Sequence, residues 1–166
     1  MEKALQIIDR ISELSGKVVS VLPGVVVIAI MYEISMRYVF RLPTLWASEV
    51  IVYGCGLTYV LGAAWALRER RHVKIDLLYD RLSERGRAIL DSGTFVFFAL
   101  YILVLIWASG KYALKSYALG ETSGSAWNPV VYPIKAAIPI GASLLFLQGV
   151  AKFIRDLHFA IKGRSL

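Results

Sequence analysis

Four blocks of this chain carry no charged residue: Val18 to Tyr32, Val50 to Leu67, Ser92 to Gly110 and Ala136 to Ala151. With its neighbours, each block reaches the roughly 20 residues a helix needs to cross a bilayer core of about 30 Å. The pattern predicts four transmembrane helices, at about 18–40, 46–67, 92–115 and 133–153. Two shorter stretches have a helical period with mixed polarity. Over 3–15, Ala4, Ile7, Ile8, Ile11 and Leu14 share one face and Asp9, Arg10 and Glu13 lie opposite. Such a helix suits the membrane interface. It serves either as an anchor or partner helix, or as a cover over its own chain's helix ends. Gly16 offers a bend into the first span. Over 75–85, Ile75, Leu78 and Leu82 alternate with an acidic stripe of Asp76, Asp80 and Glu84. This predicts a second short amphipathic helix whose acidic face is solvated.

Polar residues inside the spans narrow the picture. Glu33 and Arg37 are four residues apart and share a helix face. Charges this close to hydrocarbon point into protein. They neutralise each other or meet a partner subunit. Trp46 and Trp65 lie 19 residues apart in the sequence, about 28 Å along a helix, and match two interfacial aromatic belts. Glu49 sits just inside the second span. Gly54, Thr58, Gly62 and Ala66 recur every fourth residue and form a ridge that admits another helix closely. Packing within the chain is the default use of that ridge, and packing between subunits is the other.

The stretch ETSGSAWNPVVYPIKAAIPIG, 121–141, holds three of the five prolines and the lone Lys135. Pro133 suits a helical first turn, where its missing N–H costs nothing. Pro139 falls inside the helix and predicts a kink. The segment reads as an ordered loop entering a bent membrane helix, and packing without chemistry explains it as simply as a function does.

Composition agrees with this layout. The chain has 166 residues, 57% of them hydrophobic, which makes one domain over 1–166. The net charge of +7 does not point to nucleic acid, because the basic residues gather at helix ends. Fourteen Lys and Arg lie in the N-terminus, the 68–91 loop and the tail, against five on the other side. This asymmetry predicts an all-α membrane protein with N-in and C-in topology, both termini cytoplasmic. The Trp127 loop then faces the periplasm of a Gram-negative host. The N-terminal apolar run continues past Glu33 and Arg37 with no small-residue cleavage site, so it reads as retained. Cys55 is the single cysteine and makes neither a disulfide nor a metal site within the chain. His72 reads as a surface residue in a basic loop. No catalytic set, zinc spacing, phosphate loop or cofactor fingerprint is present in the sequence.

Three stretches carry a resemblance: RYVFRLPTLWASE at 37–49, LRERRHVKIDLLYDRL at 67–82, and SAWNPVVYPIKAAIPIGASLLFLQGV at 125–150. Their order and spacing resemble the small membrane subunit, the Q subunit (DctQ-like), of tripartite ATP-independent periplasmic (TRAP) transporters. The resemblance spans nearly the whole chain. It implies a bacterial inner-membrane location and import of an organic acid driven by a sodium gradient. The implied partners are a large membrane subunit, which carries substrate and sodium, and a soluble periplasmic substrate-binding protein. It also implies that this chain has no cofactor, is not an enzyme, and acts as scaffold and docking surface. On that basis Glu33, Arg37, Glu49, Gly54, Thr58 and Gly62 are expected at the partner-subunit interface, and Trp127, Asn128 and Lys135 at the periplasmic docking side. A non-transport membrane adaptor or assembly factor is the alternative.

Overall fold

The computed structural model describes residues 2–69 and 84–162. His72, and the expected 75–85 helix up to residue 83, lie outside these residues. Among the described residues five α-helices follow in order: α1 (Glu2–Val19), α2 (Leu22–Ile34), α3 (Ala47–Arg68), α4 (Glu84–Ala118) and α5 (Tyr132–Lys162). Four helical runs are long and apolar enough to cross a membrane: Leu5–Val39, which joins α1, α2 and the turn after it, Ala47–Arg68, Ile89–Ala118 and Tyr132–Ile161. Pro23 opens α2 from its first turn. Pro139 sits inside α5, which remains helical on both sides of it.

Two boundaries differ from the sequence reading. The chain does not bend at Gly16. Helix α1 runs on to Val19, and the break falls at Ser20 and Val21. Glycine is needed at 16 because the Trp65 ring lies against it, so that any Cβ would collide with the ring. The second difference is at the far end of α2, which widens into a π-helical turn over Ser35–Val39. The turn closes with the Leu42 amide donating to the Met36 carbonyl at 2.9 Å. Arg41 has φ +55°, the left-handed position that glycine usually fills after a helix.

The spans do not close into a ring. α2 packs on α3, α3 on α5 and α5 on α4, so the helices form an open row with α2 and α4 at its edges. The physics of lipid explains which side chains lie where. Hydrocarbon solvates a large apolar side chain as well as a protein core does, so close backbone approach drives packing instead. Most buried apolar positions in the spans are accordingly small, namely Ala29, Ala47, Ala64, Ala113, Ala137, Ala142 and Ala151, with Val26 and Ile102 the larger ones. Bulky residues such as Ile28, Phe97, Tyr101 and Trp107 point outward. Gly141 marks a close approach to the α3 backbone, where an added Cβ would stand 2.5 Å from the Val60 carbonyl oxygen. Gly149 marks another on the other side of α5, against the ring of Phe98.

Candidate functional site

The polar contacts gather at the two ends of this row, and the small-residue candidates run along α3 between them. One end holds the π-turn, the start of α3 and the loop between α4 and α5. Glu33 is only 7% exposed, yet its carboxylate is fully engaged. Oε1 accepts from Arg37 Nε at 3.1 Å and Nη2 at 2.6 Å. Oε2 accepts from the Thr44 amide at 3.2 Å and from the Thr44 hydroxyl. The pair expected from the four-residue spacing therefore forms, and it does more than neutralise charge. It folds the 40–44 turn back onto the end of α2. Next to it Trp46 stacks on Tyr32, with ring centroids 5.6 Å apart. About half of the Arg37 side chain stays exposed, so one edge of the guanidinium is free for a partner.

Glu49 does not join that pair. Its carboxylate accepts from Tyr53 at 2.9 Å and from Ser123 at 3.3 Å. The contact spans 74 residues and ties the first turn of α3 to the α4–α5 loop. The loop is itself ordered. Thr122 and Val130 form an antiparallel bridge, and the Ser123 amide donates to the Pro129 carbonyl at 2.9 Å. Asn128 has φ +52°, which its side chain tolerates better than most. Its Oδ1 accepts from the Gly124 amide and its own amide donates to Ser125 Oγ, each at 3.0 Å. Asn128 thus shapes the loop, while its neighbour Trp127 stands 43% exposed.

Lys135 closes the base of the loop. Its ammonium meets the Glu121 carboxylate at 2.5 Å. This contact and further charge-assisted bonding hold the Glu121 carboxyl below the ordinary glutamate range. The loop and the start of α5 therefore form one piece, with Trp127 presented at its tip.

The small-residue ridge on α3 divides in two. Gly54 receives Val26 of α2, and the Thr58 hydroxyl turns back to the Gly54 carbonyl at 2.7 Å. Gly62 has open space in front of it. One end of the ridge thus serves the chain's own packing and the other is uncovered.

The opposite end of the row is a polar lock that the sequence reading missed. Ser12 donates to Gln148 Oε1 at 2.9 Å, and both side chains are buried. Gln148 Nε2 donates to Asp9 at 3.0 Å, and Arg155 pairs with the same carboxylate at 2.6 Å. Glu13 reaches Arg68 at the end of α3, at 3.2 Å. Lys152 lies between Asp91 of α4 and Asp156 of its own helix. A cavity of about 230 Å³ opens beside it, walled by Leu67, Phe95, Phe98 and Phe153. The only sequence signal for this end was the polar side of α1, whose partners on α5 lie more than 130 residues away.

Chemically, the first end can hold a partner by shape and charge, and the second fixes an extra helix to the row. Among the described residues no group of three or more His, Cys, Asp or Glu is placed to hold a metal ion. Residues 26–159 match the family model described as tripartite ATP-independent periplasmic transporters, DctQ component. No curated protein matches the chain.

Proposed function

The chain belongs to the DctQ component family of tripartite ATP-independent periplasmic transporters, and we propose that it is the scaffold on which the large membrane subunit moves. It is a membrane component of a transporter and not an enzyme. Membership implies partnership with a large membrane component, DctM, and a periplasmic component, DctP.

The observation that carries the scaffold reading is the open row. Four helices side by side enclose no path across a membrane, and each broad face of the row is available to lipid or to another subunit. In this reading the large subunit packs on the row near Arg37 and the free end of the α3 ridge at Gly62. The transported substrate is an organic acid carried with a sodium gradient, and both bind in the large subunit. Both termini face the cytoplasm, as the Lys and Arg asymmetry supports. The loop then projects into the periplasm, where Trp127 and the Lys135-braced base help dock the binding protein.

The test is uptake into liposomes holding the large subunit, with binding protein outside and an inward sodium gradient. Uptake that requires this chain is the expected result. Equal uptake without it would reduce the chain to an assembly factor or adaptor.

A further inference from the structure

Helix α1 is docked the wrong way round for an ordinary amphipathic helix. Its buried positions are Leu5, Ser12 and Val19, with Gly16 against Trp65 and Asp9 bound to α5. The docked side is therefore mixed, with Leu5 and Val19 buried beside Ser12 and the bound Asp9. Its apolar stripe of Ile7, Ile11, Leu14 and Val18 points away from the row, with Leu14 and Val18 each 65% exposed. Lys3, Arg10 and Lys17 recur every seven residues. Seven residues make nearly two turns, so these three form a line along the helix beside the apolar stripe. All three are exposed. Lys17 pairs with Glu13. Arg10 acts on the same Glu13 carboxylate only through space, and among the described residues neither it nor Lys3 is held in an ion pair of 4 Å or less.

The direction of α1 matters as well. Near its C-terminal end, Gly16 and Glu13 meet Trp65 and Arg68 at the end of α3. One turn earlier, Ser12 and Asp9 meet Gln148 and Arg155 on α5. The helix thus passes from one span to the next, across the row's end. A helix in that position, with apolar and cationic stripes side by side on its outer face, fits the boundary between acyl chains and headgroups.

We propose that the outer face of α1 binds anionic phospholipid, with Lys3 and Arg10 on headgroup phosphates and Ile7, Ile11, Leu14 and Val18 in the acyl layer. The exposed cations select the occupant. A zwitterionic surface offers them no net charge, and a protein partner would have to bring its own acids to the headgroup level. The site does not depend on which way the chain is oriented, because α1 itself carries both the cations and the apolar stripe.

The experiment compares hydrogen exchange of α1 amides in the full chain, in nanodiscs of phosphatidylcholine alone and with added phosphatidylglycerol. A basic residue near an anionic surface is worth about 1 kcal/mol. Two such residues predict up to roughly thirty-fold slower exchange in the anionic disc. In the Lys3→Gln/Arg10→Gln double variant this difference should collapse, while Lys3→Arg/Arg10→Lys should keep it. Amides of α5 serve as the folding control and should match in all forms. Equal α1 exchange of the wild type in both lipids would overturn the proposal, and so would a double variant that keeps the full difference. Protection gained only on adding the large subunit, whatever the lipid, would assign the face to that subunit and overturn it too.

Discussion

Ser12 and Gln148 stand 136 residues apart and share a buried hydrogen bond of 2.9 Å. Gln148 also donates to Asp9, so one amide at a helix surface holds two residues of α1. Deleting that amide leaves both partners short of a bond, at about 1–3 kcal/mol for each buried group. Gln148→Leu keeps the volume and should release α1 while the spans stay folded. Faster exchange at α1 amides with unchanged exchange in α3 and α5 is the expected pattern.

Gly141 and Gly62 test the two kinds of small-residue contact. Gly141→Leu places a side chain on the Val60 carbonyl. It should cost about 1–3 kcal/mol by forcing α3 and α5 apart. Gly62→Leu meets open space and should change the isolated chain's stability by less than about 0.5 kcal/mol. Its effect should appear instead as a lower yield of the complex with the large subunit. Thermal unfolding of the chain and co-purification of the pair separate the two outcomes.

Glu33 holds both Arg37 and Thr44. Glu33→Ala should free the 40–44 turn and weaken co-purification with the large subunit. Arg37→Ala should weaken it too while leaving the Thr44 contacts in place. Unchanged complex yield for both variants would remove this edge of the row from the interface.

The loop base has a definite pH response. Pairing with Lys135 lowers the Glu121 carboxyl below its ordinary value of 4.5. A lowered folded value means that the contact is fully present above 4.5 and is lost as pH falls through the lowered value. Trp127 fluorescence, in a chain whose other tryptophans are replaced by phenylalanine, should stay constant from neutral pH down to that ordinary value and change only below it. Lys135→Glu puts two acids at the loop base. It should impair uptake at neutral pH without loss of the complex, and wild-type uptake in that variant would remove Lys135 from docking.

The layout of spans was legible because each apolar block is long and free of charge, a local property that lipid enforces. The Glu33–Arg37 pair was legible for the same reason, since both members sit on one helix. Pairings between helices were not. Glu49 finds its partners in the α4–α5 loop and Asp9 in α5, and no short-range pattern marks either contact. Glycine misled in two ways. Gly16 looked like a bend but serves a tryptophan ring, and the ridge on α3 drew notice while Gly141 of α5 is the glycine that meets the α3 backbone. A glycine signals close approach, but the sequence does not say what approaches.

The central claim is that this chain holds still while its partner moves. Phe95 of α4 and Phe153 of α5 stack with centroids 4.3 Å apart, which suits a cleavable clamp between those helices. Both positions would be changed to cysteine in a chain with Cys55→Ala, then joined by a short bifunctional thiol reagent containing a disulfide. Sodium-driven uptake would be measured in the reconstituted complex before and after the clamp is cut. The account predicts the same uptake in both states. Uptake that is lost with the clamp closed and restored on cutting it would show that the row itself must move, and would contradict the scaffold role.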